Sequence, residues 1–566
     1  MAASIVQNTF KKELEMLKTG RESRHDFTWV LYFSTLLLMT LLLTSSNSYA
    51  ANVPVCSADY DQYYPKAASD GAGGAIIVWG DRRTDDNYDV YVQRMNAQGT
   101  LLWQSNGIFI SYNSQGDGTD QSDPQIIPDG AGGAFIAWID NRDSGYGDVY
   151  CQHINSSGTS QWTANGVMVC DASSYQRDVR LVSDGAGGII LCWSDMRSGN
   201  QDIYARRVNS SGAPQWTDDG VLICNAASSQ QDPAIVSDGS GGAIMAWTDS
   251  RTGARGVYAQ RVNSSGAVQW TANGVALSSV GTQGAYPQLC SDGGGGAVVA
   301  WSDSRGTTSA DIYAQRVNSL GAVQWTVNGV AVCNYASQQE YPRIIGDGSG
   351  GATICWNDYR GSSADIYAQR INSTGTAQWT TNGVAVCSYS GDQYYPAMIS
   401  DGAGGSIIAW NDQRSSNYHT YAQRLNSSGV PQWSTHGEPV SDASGAEDDP
   451  ALVSDGSNGA IVTWHDYRNN SHYDIYAQRV YSNGAISLPT VSFTTASQQT
   501  DEGDGTLQAT VQLSEIFTSA VSVPFTLGGT AQEGAADDYT VSASPVSIPA
   551  GSTDADITIT IRDDSD

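Results

Sequence analysis

Lysine is nearly missing from this chain. Beyond Ala50 the only one is Lys66, and the 566 residues carry 58 Asp and Glu against 28 Lys and Arg, a formal net charge of −30. Residues 1–50 hold five basic and four acidic groups, which leaves 54 acidic against 23 basic groups in the rest. A surface of that sign repels phosphate backbones and excludes nucleic acid as a partner. Charged residues make up only 15% of the chain, too few for a coiled coil or a disordered polyelectrolyte. The six histidines are scattered without metal spacing, and no C-x-x-C occurs, which excludes a zinc ribbon. G-x-S-x-G, the P-loop and H-E-x-x-H are all absent, as is the aspartate box S-x-D-x-G-x-T-W of sialidase-like propellers. What is abundant is glycine (61), tyrosine (29) and tryptophan (16), the mixture of an all-β protein with many turns.

One long apolar run exists. Trp29 to Thr44 is uncharged, follows basic residues and precedes Ser48-Tyr49-Ala50, a small-x-small cleavage pattern. Residues 1–50 therefore read as a secretory signal peptide, the alternative being a single N-terminal membrane anchor. The expected address is secreted or cell surface.

The remainder is periodic, and the period sets the fold. W-x-D-x-R recurs at Trp79, Trp138, Trp193, Trp247, Trp301, Trp356, Trp410 and Trp464, in steps of 54 to 59 residues. A second tryptophan follows each of the first seven, at Trp103, Trp162, Trp216, Trp270, Trp325, Trp379 and Trp433. Each unit reads as four short strands: one before an Asp-Gly-x-Gly-Gly hairpin, one ending in W-x-D, a D-I-Y-A-Q-R strand, and a last one closing on N-G-V-x-V-C. About 54 residues for four strands matches one β-propeller blade. The eighth unit lacks its fourth strand, and Val53-Pro-Val-Cys56 supplies the same pattern as Val384-Ala-Val-Cys387. The expectation for residues 51–486 is an eight-bladed β-propeller closed by its N-terminal strand, a device that hides two sheet edges.

The hairpins within each unit are uniform, whereas second-to-third and unit-to-unit connections vary. The variable loops then share one face, and such loops on rigid scaffolds carry function. Candidate binding positions near that face are Tyr88, Tyr146 and His472, together with breaks in the repeat: Gly256 and His419 in place of the Asp of D-I-Y, and His153 in place of the repeated Arg. The invariant Asp and Arg of W-x-D-x-R read as scaffold, the pair tying a loop to the Asp of D-I-Y by charge-assisted hydrogen bonds. The tryptophans read as packing rather than sugar-stacking residues. Of nine cysteines, Cys170 with Cys192 and Cys333 with Cys355 share an offset of 22 residues; this fits two equivalent disulfides or, equally, small buried thiols.

From about residue 488 tryptophan vanishes and Thr, Val and Ser dominate. Gly505 to Leu513 alternates like a half-buried strand, with further strands at Val521–Thr526, Val546–Gly551 and Asp556–Ile561, an antiparallel sandwich pattern. Asp501-Glu-Gly-Asp-Gly-Thr506, Gly529-Thr-Ala531, Asp537-Asp-Tyr539, Ile548-Pro-Ala-Gly551 and Ile559 to Asp566 resemble a Calx-beta domain. The resemblance implies an immunoglobulin-like calcium-binding sandwich over residues 488–566, with Glu502, Asp538, Asp563 and Asp564 as ligands. The family continues past the point where this sequence stops, so the expected domain is incomplete and cell-surface attachment is expected through missing C-terminal sequence. The repeat W-x-D-x-R with D-I-Y-A-Q-R resembles secreted bacterial repeat proteins, which implies export and display. The resulting expectation is a non-enzymatic surface protein whose loop face binds a carbohydrate or an extracellular protein, with a calcium-binding adhesion module. The alternatives are a glycan-cleaving, sialidase-like propeller enzyme and a structural spacer.

Overall fold

The computed structural model describes residues 29–32, 52–83, 87–111, 119–142, 146–278, 284–305, 309–441, 443–486, 491–495, 497–500, 505–513, 520–525 and 539–561. Every regular element among them is a β-strand. No helix among the described residues is long and apolar enough to cross a membrane. The chain divides into two compact units, residues 48–488 and residues 1–47 with 489–566.

In the larger unit, residues 53–480 form eight antiparallel sheets, seven of four strands and one of five. Their order follows the chain. The sixth is representative: Gln339–Gly346, Ala352–Asp358, Asp365–Ile371 and Val384–Cys387 pair in sequence order. The second strand of every sheet is buried along its full length, as its continuous apolar sequence requires. The first strands lie side by side in a cycle that runs from Gln62–Ser69 through Glu447–Ser454 and back to Gln62–Ser69. Sheets placed cyclically in this way make a β-propeller. The eighth sheet takes its outer strand from the other end of the chain: Val53 pairs with Ala477, and Cys56 with Ile475.

The core lies between adjacent sheets rather than within one. Where the ends of the unit meet, Val53, Val55 and Cys56 pack with Ile77 and Trp79 of the first sheet and Ile461 and Ile475 of the eighth. All eight motif tryptophans are fully buried. Their shape dictates one glycine: a Cβ on Gly107 would sit 2.4 Å from the Trp79 ring, and the residue holds φ +84°. Equivalent glycines meet Trp138, Trp193, Trp247, Trp301, Trp356 and Trp410, which explains the repeated N-G. The second tryptophans clip neighbouring sheets together. Trp433 Nε1, for instance, donates to the Ser482 carbonyl at 3.0 Å and Trp325 Nε1 to Ser373 at 3.0 Å.

One scaffold expectation is corrected, and one left open is decided. The motif Asp does not tie its Arg to the Asp of D-I-Y. Asp358 accepts from the Trp356 indole at 2.8 Å and from Arg360 Nε at 2.8 Å, while the Arg360 guanidinium lies 3.7 Å from the ring centre of Tyr367. The motif closes on itself because the indole and guanidinium can both reach one carboxylate, and the tyrosine face takes the cation. Of the two cysteine readings the structure has the buried thiols: all nine cysteines are free and buried. Cys170 packs in the layer between the second and third sheets and Cys192 between the third and fourth, so the sheet itself separates them. Cys333 and Cys355 are divided in the same way.

In the smaller unit, Val491–Phe493, Thr506–Leu513, Asp554–Ile561 and Tyr539–Val541 make one sheet and Val521–Val523 with Val546–Ile548 another. Leu507, Ala509, Val511, Val523, Ile548, Ile557 and Ile559 share a core between them. Residues Trp29–Tyr32 pair antiparallel with Ser497–Thr500.

Candidate functional site

The first strand of every sheet carries the same irregularity. Its register against the second strand shifts near the start, as between Glu340 and Arg343, and the residue inside the shift holds a positive φ of 49° to 57°. Around the cycle these residues are Tyr64, Asp123, Asp178, Asp232, Tyr286, Tyr341, Tyr395 and Asp449. Proline follows all but Asp178. It has no N–H to offer the ladder and so favours a bulge, which re-aims the side chain before it. Backbone of this hand is seldom adopted by residues other than glycine, and its repetition at functional mouths is a known place for stored strain.

The bulges sit at the W-x-D end of the sheets, since Gln339 pairs with Asp358. That is the end from which the variable second-to-third connections leave. The eight positions divide by chemistry. Three consecutive aspartates form one arc, and Tyr286, Tyr341 and Tyr395 form another, with ring centres 5.6 and 5.8 Å apart. Tyr64, Tyr286 and Tyr395 are about half exposed.

Among the described residues two clefts open beside this ring. The larger, about 440 Å³, is lined by Tyr341, Tyr359, Tyr394, Tyr395 and Tyr418 with Glu340, Asp448 and Asn411. Glu340 accepts from the Tyr359 hydroxyl at 3.2 Å and from Gln338 Nε2 at 2.6 Å. Asp448 accepts from Asn411 Nδ2 and from the Asp449 backbone N–H, the latter at 2.9 Å. Burial pushes the Asp448 carboxyl above its ordinary value, and those two donors pull it back in part. Burial and then Asp392 push Tyr394 up to about 12. Burial and then Glu340 raise Tyr359. The cleft therefore presents tyrosine faces, neutral hydroxyls and two carboxyl groups.

The smaller cleft, about 250 Å³, is lined by Tyr64, Tyr88, Lys66, Asp123 and their neighbours. Beside it Tyr63 packs on Tyr473 and His465, with centres 5.0 and 5.3 Å away. His465 is buried, and burial followed by the Lys66 charge pushes it down to about 4, so it is neutral.

The residues expected from sequence fall in different places. Tyr88 lines the smaller cleft. Tyr146 is exposed and packs edge-on against Tyr175 at 5.0 Å, away from both clefts. His153 is not at the loop face. It lies at the opposite end of its strand, where its Nε2 meets Asp129 of the Asp-Gly hairpin at 2.9 Å and takes over the scaffold pair that Arg94 makes with Asp70. Gly256 is buried opposite Asp249, and an added Cβ would meet the Ser278 carbonyl at 2.9 Å. His419 faces Glu447 at 3.8 Å, a pair in which Asp has become His and the repeated Gln has become Glu. His472 is on an exposed loop 3.3 Å from Asp474. Glu502, Asp538, Asp563 and Asp564 lie outside the described residues. Among the described residues no group of three or more His, Cys, Asp or Glu is placed to hold a metal ion.

Glu340, Tyr341, Tyr394, Tyr395 and Asp448 were not singled out from the sequence. The signal was present as Gln-x-[Tyr/Asp]-Pro at the head of five first strands, with Glu447-Asp-Asp-Pro450 as the variant that carries Asp448.

No protein-family model and no curated protein matches the chain. Similar solved structures include an endo-arabinase from Bacteroides thetaiotaomicron (16% identity, 45% of this chain and 95% of that one, TM-score 0.28). Another is the polysaccharide lyase Uly1 (10%, 77% and 100%, TM-score 0.39). A third is an α-L-arabinanase from Penicillium chrysogenum complexed with arabinobiose (13%, 58% and 98%, TM-score 0.31). At these scores the likenesses assign no activity to this chain.

Proposed function

We propose that the tyrosine-lined cleft at the mouth of an eight-bladed propeller is a carbohydrate site, carried by an exported or surface-displayed protein. The supporting observation is the convergence of five tyrosines with Glu340, Asn411 and Asp448 in one cleft of about 440 Å³. Aromatic faces take the apolar C–H faces of a sugar, while carboxylates and amides take its hydroxyls. Export or surface display is the reading of the apolar run Trp29 to Thr44 as a signal peptide or membrane anchor. For the C-terminal unit the reading remains a Calx-beta-type calcium module, and calorimetric titration with calcium should show heat that Asp538→Ala removes.

The test is a glycan-array screen of the full chain, followed by titration of each hit. Tyr395→Ala and Tyr341→Ala should each weaken binding about tenfold, the scale of one lost stacking contact. An array without a hit, or affinities unchanged in both variants, overturns the reading.

A second reading is glycan cleavage. Two carboxyl groups share the cleft and one is raised by burial, the arrangement in which one acts as acid and the other as base or nucleophile. Asp448 would protonate the leaving oxygen and Glu340 would serve the opposite role. Release of reducing ends from an array hit, abolished by Asp448→Asn, supports cleavage; binding without release rejects it.

A further inference from the structure

Two residues inward from each bulge, the first strands carry Lys66, Gln125, Arg180, Ala234, Gln288, Arg343, Ala397 and Ala451, each paired in register with the second strand. Three of the eight are cations. They include the one lysine beyond Ala50, in a unit otherwise dominated by acid. Nothing in the repeat calls for a cation there, since five units manage with Ala or Gln.

These cations are poorly partnered for their burial. All three are half-buried. Among the described residues Lys66 makes no hydrogen bond or ion pair. Arg343 donates from Nη1 to the carbonyl of its own neighbour, Pro342, at 3.2 Å. Arg180 does the same to Val179 at 2.8 Å and has one carboxylate, Asp123, at 3.5 Å. Asp123 lines the same cleft as Lys66, so Lys66, Asp123 and Arg180, from three successive sheets, form one cluster. Arg343 holds the same register position on the first strand of the sixth sheet, across the cycle, and its charge acts on Lys66. Burial pushes the Lys66 ammonium below its ordinary value, Asp449 and Asp123 pull it up, and Arg343 and Arg180 push it down again. Burial likewise lowers Arg343, and Arg180 adds to this.

We propose that Lys66, Arg180 and Arg343 form an oxyanion site at the centre of the cycle of first strands, which takes the carboxylate of an acidic sugar such as a uronate. Half-buried cations that repel one another gain most from a bound anion. Of the four aspartates on the bulge ring, Asp123 and Asp449 act on Lys66, whereas Asp178 bears on Asp123 and Asp232, and among the described residues Arg343 has no carboxylate acting on it. A guanidinium presents a planar fork that matches a carboxylate. Steps away, the tyrosine arc offers its faces to the sugar ring. The sugar part of this inference rests on the carbohydrate reading above; the anion part does not.

The experiment is calorimetric titration of the full chain with two disaccharides, one carrying glucuronate and the other glucose in its place. The acidic one should bind at least about tenfold tighter, the scale of one charge-assisted hydrogen bond. Arg343→Gln and Lys66→Gln should each remove most of that preference, Lys66→Arg should keep it, and unchanged melting temperatures would show that the variants fold. Equal affinity for both sugars, or a preference that survives Arg343→Gln, overturns the anion site while leaving the carbohydrate reading in place. A uronate preference that depends on Arg343 but ignores Tyr395→Ala supports the anion site and overturns the tyrosine cleft. Binding of neither disaccharide overturns the proposal.

Discussion

Asp358 and Asp365 stand opposite one another in the register of the second and third strands of the sixth sheet, and Arg360 is bound to Asp358. Burial first, and the Asp358 charge second, push the Asp365 carboxyl up to about 6. Asp311 and Asp474, at the same repeat position, are also pushed up to about 6, burial again being the first cause. A carboxyl raised in the fold holds its proton more tightly folded than unfolded. Its charge therefore weakens the fold above pH 6, and the penalty fades as the pH falls toward the unfolded value near 4. Asp365→Asn should raise the melting temperature at pH 7.5, and the gain should shrink as the pH drops through 6. A gain constant from pH 7.5 to 4.5 would show that the charge is not its source. Gly256 and His419 are natural versions of this change, one deleting the charge and the other pairing a histidine with Glu447.

The strand Val53–Cys56 buries Val53, Val55 and Cys56 against both the first and the eighth sheets. Burying a valine side chain is worth about 1.5–3 kcal/mol. Removing residues 51–57 deletes all three, uncovers Ile77, Trp79, Ile461 and Ile475 on which they pack, and strips the ladder from Asp474–Val480, so thermal melting should fall steeply. Val55→Ala alone should cost about 1–3 kcal/mol in denaturant unfolding. Unchanged melting of the truncated chain would refute closure.

Buried thiols predict a chemical signature. Cys56, Cys170, Cys192, Cys224, Cys290, Cys333, Cys355 and Cys387 are each pushed up to about 12, burial being the first cause. Since the thiolate is the reactive form, a thiol reagent at pH 8 should find almost none in the native protein. In denaturant without reductant it should find nine. A count of five would restore two disulfides.

Trp433→Phe keeps most of the ring area and removes the indole donor to Ser482. The expected cost is about 0.5–1.5 kcal/mol, one hydrogen bond between sheets. Trp464→Phe should cost more, because it leaves the buried Asp466 carboxylate without the indole it accepts from. Equal losses in urea unfolding would contradict this ranking.

The repeat, its four strands and the exchange of a strand between the two ends of the larger unit were all readable in the sequence. They are imposed by patterns of burial and turn chemistry, and Trp79 or Gly107 leaves no other choice. The mouth was less readable. Tyr341 and Tyr395 look like ordinary strand residues in an alternating pattern, and only a bulge turns them toward one another. Glu340 and Asp448 come from different sheets, and their convergence depends on how adjacent sheets are set, which no local pattern states. The histidines misled for the opposite reason. His153 breaks the repeat visibly, yet it substitutes for an arginine in a pair with Asp129 that serves the hairpin alone.

The strand Val53–Cys56 has a partner that lies more than four hundred residues further along, as the 426-residue separation of the Asn52–Gln478 contact shows. On a ribosome adding about 5–20 residues per second, that delay is roughly 20–85 s. Throughout it, the earliest segment of the unit waits with an unpaired edge and an apolar face. A chain cut short by stalled synthesis never finds its mate and stays visible to proteases. The finished eight-sheet unit, by contrast, has its first and last strands stitched into a single sheet, and neither can fray without the other.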